Sequence, residues 1–233
     1  MSAPSMGTSQ RDAELQRQIE FAAIPLHPRP VDFALRGLDL GIAGAALIAL
    51  AVPMAFVAVL VRIASGRPVL YRGQRVGRAG RPFSTLKFRT LRPGAEDRLA
   101  GLAGADLDAR AEAETTVIGR LLRHTHIDEL PQLICVLRGD MAIVGPRPIR
   151  PAFFAQLVEE IPQYWQRLVV PPGMTGLAQL RITRSTGWAE KLAHDLEWIA
   201  DRSISLYVSI VWATAVRVAR RTLGAPDRDP EGA

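Results

Sequence analysis

From Leu40 to Val61 the chain runs for twenty-two residues without a charge, bracketed by Arg36 and Asp39 before it and Arg62 after it. A straight helix advances about 1.5 Å per residue, so a run of this length covers the roughly 30 Å hydrocarbon core of a bilayer. The competing reading is a buried core helix of a soluble domain. Pro53 falls past the midpoint, where a helix loses a backbone hydrogen bond and bends. Two membrane arrangements are therefore open: one kinked pass, or a helix-break-helix wedge that enters one leaflet and returns to the same side. After Val61 come Arg62, Arg67, Arg72, Arg75, Arg78, Arg81, Lys87 and Arg89. The positive-inside rule places everything downstream of them in the cytoplasm.

Beyond this segment the 233 residues suffice for one compact body and not for two full domains with linkers. Lys and Arg total 29 against 23 Asp and Glu, a formal charge of +6. Such an excess suits a phosphate-bearing partner, whether nucleic acid, nucleotide or anionic headgroup, and composition does not choose among them. The single cysteine, Cys135, lies in an apolar run, which excludes an intramolecular disulfide and a cysteine-based metal cluster and fits a reducing compartment. Residues 1–30 lack the apolar core and cleavage site of a secretory signal and read as a polar, Pro-punctuated lead-in. Residues 224–233 read as a disordered tail.

Residues 31–65 form the membrane-inserted unit and residues 66–223 the main body. Residues 68–90 read as a β-hairpin with a basic, Gly-rich turn, and alternation puts Lys87 and Arg89 opposite Leu86 and Phe88. Residues 92–114 suggest a helical or irregular excursion. From Gly119 a helical pattern runs to Leu137 and ends at Gly139-Asp140; Ala142 to Val144 is a short strand, and Gly145-Pro146-Arg147-Pro148 a rigid turn. A further helix carries Phe153 to Val158, and Pro171-Pro172-Gly173 and Thr175-Gly176 break the chain. The last helix, about Ile204 to Arg221, has the profile of an interfacial amphipathic helix. The expected fold class is α+β, mainly helical: a re-entrant N-terminal segment, a small β-hairpin and amphipathic interfacial helices around a core.

Asp128 and Glu129 are adjacent carboxylates just before Pro131. By spacing alone they read as a solvated helix start capped by Thr125. The run Arg123 to Pro148, RHTHIDELPQLICVLRGDMAIVGPRP, reads differently in company with Arg36-x-x-Asp39 before the apolar stretch, KFRT at Lys87 to Thr90 and PPGMTGLAQL at Pro171 to Leu180. Together these segments resemble the bacterial sugar transferase family, the small monotopic phosphoglycosyl transferases. The resemblance implies an enzyme at the bacterial inner membrane, its catalytic domain on the cytoplasmic face. Such an enzyme moves a sugar 1-phosphate from a UDP-sugar to polyprenyl (undecaprenyl) phosphate, releases UMP and initiates exopolysaccharide or glycan assembly.

By that resemblance Asp128 is the nucleophile, and Glu129 is associated with Mg²⁺, or Mn²⁺ in its place, and with the diphosphate. A carboxylate attacking phosphorus splits one displacement into two, and the transferred group's charge must be neutralised. Arg123 and Arg147 match motif arginines suited to grip phosphate in bidentate fashion. Lys87 and Arg89 are further candidates for the phosphates or the headgroup. Arg36, Asp39 and Pro53 belong to the membrane segment. A homodimer and no nucleic-acid partner are also expected. Cys135, Ala142, Val52 and Tyr207 stand where Asn, Ser, Ser and Asp are usual.

His124-x-His126 reads as surface histidines rather than a metal pair, because the family has Arg and Ser there. Gly73, Gly77 and Gly80 read as part of a hairpin turn rather than a phosphate loop. The rival from another class is a membrane-tethered basic protein that binds nucleic acid or regulates polysaccharide synthesis without catalysis. It would need base-stacking aromatics among its arginines, and only Tyr71, Phe83 and Phe88 are available.

Overall fold

In the computed structural model, which describes residues 29–99, 104–182 and 186–223, the apolar run is two helices rather than one. α1 (Pro30–Ala49) and α2 (Ala51–Ser65) meet at an angle of 64°. The break falls at Leu50, ahead of Pro53. A proline ring clashes with the carbonyl four residues back, here that of Ala49, but is tolerated in the first turn of a helix. The chain therefore restarts its helix so that Pro53 lies in that first turn. The bend leaves its backbone paired: the Leu50 N–H bonds the Ala46 carbonyl and the Met54 N–H bonds the Leu50 carbonyl, each at 2.8 Å. No single helix among the described residues is long and apolar enough to cross a membrane; only the bent pair together meets that length and composition.

Several polar residues fasten α1 to the rest, Asp32 among them through its ion pair with Arg202. Arg29, just before the helix, donates to the carbonyls of Ile199 and Ala200. Arg36 donates to the carbonyls of Val136 and Leu137 at 2.8 and 3.1 Å, which caps the end of a second helix. Asp39 is 5% exposed and accepts from the Ile143 N–H at 2.9 Å and the Tyr207 hydroxyl at 3.0 Å. A buried carboxylate is tolerated only when hydrogen-bonded in this way.

The hairpin is present as expected. β1 (Leu70–Val76) pairs antiparallel with β2 (Pro82–Phe88), in a register that sets Tyr71 opposite Lys87. A 3₁₀ turn at Arg78–Gly80 joins them, with Ala79 at φ 55° and Gly80 at φ 72°. Two short helices, α3 (Ala95–Arg98) and α4 (Gly104–Ala113), occupy the excursion.

The single helix expected from Gly119 to Leu137 is instead three pieces. α5 (Val117–His124) ends, His126 turns left-handed at φ 57°, Ile127–Glu129 form a 3₁₀ turn, and α6 (Gln132–Arg138) follows. Pro131 is the physical reason, since its ring would strike the Ile127 carbonyl of a continuous helix. Gly139, at φ 89°, ends α6.

β3 (Ala142–Val144) pairs in parallel with β4 (Gly173–Thr175), where the sequence pattern indicated only a break. A Cβ on Gly173 would stand 2.1 Å from the Gly145 nitrogen, so the two backbones approach closely only because both residues are glycine. The remaining helices are α7 (Pro151–Glu160), a 3₁₀ stretch Pro162–Val169, α8 (Leu177–Arg181), α9 (Trp188–Asp201) and α10 (Ile204–Thr222).

The main core joins Leu35 of α1, Phe83 and Leu86 of β2, Leu133 and Val136 of α6, Ile143 of β3 and Ile210 of α10. On the outside, large apolar side chains stay exposed: Ile48, Val52, Phe56 and Ile63 on the bent pair, and Val208 and Trp212 on α10. The expected lead-in at residues 1–30 lies outside the described residues except at its last two positions, and the tail at 224–233 lies wholly outside them.

Tyr207→Phe removes one of the two donors to Asp39 and keeps the ring packing. It is expected to cost about 2 kcal/mol, measured as a lowered melting temperature of the detergent-purified protein. An unchanged melting temperature would mean that Asp39 does not depend on this hydroxyl.

Candidate active site

The 3₁₀ turn Ile127–Glu129 carries Asp128 and Glu129 on a loop held from both sides by helices. Thr125 does not cap it: its hydroxyl donates backwards to the carbonyls of Leu121 and Leu122. Asp128 is 7% exposed. The reading of the pair as a solvated helix start therefore fails, and the reason is the broken helix that folds this turn inward beneath β2.

β2 presents Lys87 to this turn, on the strand face opposite Leu86 and Phe88. The Lys87 ammonium forms a hydrogen-bonded ion pair with Glu129 Oε1. Arg147 approaches the same oxygen at 3.7 Å from the turn after β3 and also donates to Gln179 at 3.0 Å. Arg123, in the last turn of α5, donates from Nε to the Thr90 hydroxyl at 2.9 Å and acts electrostatically on Asp128. Four candidates thus converge with Asp128: Lys87, Arg123, Glu129 and Arg147.

Arg89 does not join them. It lies beyond the last paired residue of β2, is buried, and donates to the carbonyls of Arg67 (2.9 Å) and Ser65. In the fold it fastens the end of α2 to the hairpin instead of facing the carboxylates. Arg36 and Asp39 anchor α1, Pro53 lies in the first turn of α2, and none of the three joins the group around the carboxylates.

The two neighbouring carboxyls are driven apart. Burial is the largest influence on Asp128 and pushes it up, Glu129 adds to the rise, and Lys87 and Arg123 oppose it; the result is about 6. Burial also pushes Glu129 up, but Lys87 and Arg147 together outweigh it and hold that carboxyl at about 2. Adjacent carboxyls separated in this way take different chemical roles. Among the described residues Asp128 enters no side-chain ion pair. Glu129 is held in its ionised form by the positive charge around it.

Among the described residues no three His, Cys, Asp or Glu side chains converge into a closed metal cage. Glu129 offers an ionised hard oxygen donor, the ligand type Mg²⁺ takes, and its Oε1 is shared with Lys87 and Arg147.

Several site residues carried no sequence signal. Arg167 and Asp195 form a buried ion pair at 2.7 Å, and Arg167 also donates to the Arg147 carbonyl at 2.9 Å, which fixes the turn that aims Arg147. They lie 28 residues apart, and no local pattern pairs them. The two histidines are not free surface groups either. His124 is exposed and His126 half-buried, and both contact Arg221 of α10. Burial lowers the His126 pKa, against the pull of Glu129. Gly73, Gly77 and Gly80 belong to the hairpin and its turn.

The family model of the bacterial sugar transferases matches residues 31–221. The chain is 38% identical over 196 residues to a UDP-glucose:undecaprenyl-phosphate glucose-1-phosphate transferase of Caulobacter vibrioides, covering 82% of this chain and 71% of that one. It is 36% identical to the exopolysaccharide production protein PSS of Rhizobium leguminosarum bv. phaseoli, covering 81% of this chain and 96% of that one. It is also 36% identical to a UDP-N-acetylgalactosamine-undecaprenyl-phosphate N-acetylgalactosaminephosphotransferase of Aeromonas hydrophila. That match covers 81% of this chain but only 44% of the longer relative.

Between about pH 4 and pH 6 the folded chain keeps the Asp128 proton that the unfolded chain has already released. The folded state then binds more protons, so this group's contribution to stability declines as pH rises through that window. Asp128→Asn is therefore expected to melt higher than the parent protein above pH 6, with the advantage vanishing near pH 4. Parallel melts across that range check it; an advantage over the parent no larger at pH 7.5 than at pH 4 would refute the burial penalty.

Proposed function

The chain belongs to the bacterial sugar transferase family, and on that premise we propose that it transfers a sugar 1-phosphate from a UDP-sugar to undecaprenyl phosphate, releasing UMP. The observation that carries this reading is the divided pair: Asp128 is buried, near neutral in pKa and free of an ion-pair partner, while Glu129 is held ionised by Lys87 and Arg147. An Asp128 oxygen attacks the sugar-bearing phosphorus, the bond from that phosphorus to the UMP oxygen breaks, and an acyl phosphate remains on the protein. An oxygen of the lipid phosphate then attacks the same phosphorus, and the Asp128 carboxylate leaves unchanged. Arg123, Arg147 and Lys87 surround this position with the fixed positive charge that phosphoryl transfer requires. Mg²⁺, or Mn²⁺ in its place, supplies further neutralisation of the diphosphate when bound, and Glu129 is the residue of this chain suited to hold it.

The same reading seats the bent α1–α2 pair in the inner membrane as a re-entrant wedge, with the body on the cytoplasmic face. Exposed Ile48, Val52, Phe56 and Ile63 supply the apolar surface for this. Both ends of the wedge are bonded to one body, the start through Arg36 to α6 and the finish through Ser65 to Arg89. A spanning helix would have to leave one of those ends on the far face. Trp212 and Val208 of α10 are the apolar groups that would rest in the interface beside it.

Incubation of detergent-purified protein with Mg²⁺, undecaprenyl phosphate and a panel of UDP-sugars is expected to release UMP with at least one sugar, and EDTA to silence it. Asp128→Asn is expected to abolish both turnover and the covalent sugar-phosphate adduct seen by intact mass. Near-native UMP release by that variant would remove Asp128 from the attack, and full activity in chelator would remove the metal. For the topology, Pro30→Cys and Arg67→Cys in a Cys135→Ser background are both expected to be shielded from a membrane-impermeant thiol reagent in intact spheroplasts. Labelling at position 30 alone would mean that the segment spans.

A further inference from the structure

The His124-x-His126 motif meets the far end of the chain. His124 Nε2 lies 3.0 Å from the Arg221 carbonyl, and His126 Nε2 lies 3.2 Å from Arg221 Nη1. The partners dictate the roles of the two rings. A carbonyl only accepts, so His124 donates its Nε2 proton; a guanidinium only donates, so His126 presents a bare Nε2 lone pair. One residue of α10 is thus gripped by its backbone and by its side chain at once. The backbone contact also satisfies a carbonyl at the frayed end of a helix.

The grip lies at the catalytic turn. His126 is the left-handed residue that opens the Ile127–Glu129 turn, and its carbonyl accepts the Glu129 N–H at 3.1 Å. The charged groups facing its ring are Glu129 on the turn, Arg221 on α10, Arg147 after β3 and Lys87 on β2. Glu129 is already matched by Lys87 and Arg147. Among the described residues Arg221 has no carboxylate partner, so its charge is surplus in a cluster that is to receive a diphosphate.

We propose that Arg221 is a further phosphate-binding residue of the active site, delivered by the last helix, and that His126 is the positioning residue that aims it. The last turn of α10 then has a second task beyond its apolar face: through His126 it brings to the diphosphate a guanidinium from the far end of the chain, in addition to those of Arg123 and Arg147. This inference rests on the UDP-sugar reading above, which names the diphosphate.

The test is UDP binding to the full-length detergent-purified protein in Mg²⁺, measured by calorimetry, with UMP release and its kcat and KM followed in parallel. Arg221→Gln and His126→Ala are each expected to weaken UDP binding about tenfold, the loss of one charge-assisted contact. Both are expected to raise KM for the UDP-sugar while kcat stays within about twofold. The double variant is expected to be no worse than either single one, because the two residues act in series. His126→Gln, whose side-chain carbonyl can accept from Arg221, is expected to bind UDP within about twofold of the parent, as is the exposed neighbour variant Arg220→Gln. Arg221→Gln binding UDP as tightly as the parent would overturn the proposal, and tight binding by His126→Ala beside a weakened Arg221→Gln would overturn the positioning role. A parent that binds UDP but releases no UMP with any sugar would overturn the transferase reading and leave this one standing; a parent that does not bind UDP would overturn both.

Discussion

The fold turns on one buried carboxylate. Asp39 sits in the middle of α1 and accepts from the Ile143 N–H and the Tyr207 hydroxyl, so it ties α1 to β3 and α10 at a single point. A charge taken out of water is costly unless hydrogen bonds replace its hydration, and here the replacements come from elements 104 and 168 residues away. That requirement fixes where α1 can lie. Once it is met, Arg36 one turn earlier reaches the exposed carbonyls at the end of α6, and the apolar half of the segment is left projecting from the body.

The Asp128-Glu129 turn depends on that frame indirectly. α6 begins beside the Asp128-Glu129 turn and ends under Arg36, and β3 leads from the Asp39 contact to the turn that carries Arg147. Moving α1 would therefore move both the carboxylates and one of their cations. The Arg167–Asp195 pair, buried on the other side, holds the Arg147 backbone against the same displacement. Within this frame the burial of Asp128 opposes stability, and its compensation by Lys87 and Arg123 is incomplete. A turn that holds one carboxylate out of water in this way is unstable locally and has to be held by rigid surroundings.

Legibility in the sequence divides by the range of the interaction. The hairpin, the break near Pro53, the final amphipathic helix and the Gly139 stop were readable because each depends on residues within a few positions: strand alternation, a missing N–H, apolar periodicity, a left-handed cap. The Asp-Glu pair with Lys87, Arg123 and Arg147 was readable through motif resemblance. The misreadings have the same origin. Arg89 shares its alternation with Lys87, but past the end of the strand the nearest unsatisfied carbonyls, those of Ser65 and Arg67, claimed it. The helix through Gly119 to Leu137 has the right periodicity, yet Pro131 and the left-handed His126 break it. β4 escaped notice because a three-residue parallel strand has no pattern of its own; it exists only because Gly145 and Gly173 allow two backbones to touch.

By itself, then, the sequence determined most of the chain's local conformations and its apolar segment, because these follow from backbone sterics and periodicity within short windows, and its motifs marked the Asp128-Glu129 pair only through resemblance to a family. Only the tertiary structure decided which cations meet which carboxylate, that Asp128 is desolvated while Glu129 is paired, that Tyr207 completes Asp39, and that Arg221 returns from the end of the chain to His126. Charge pairing and desolvation depend on distance in space, and distance in space between residues far apart along a chain is set by how its helices and strands pack.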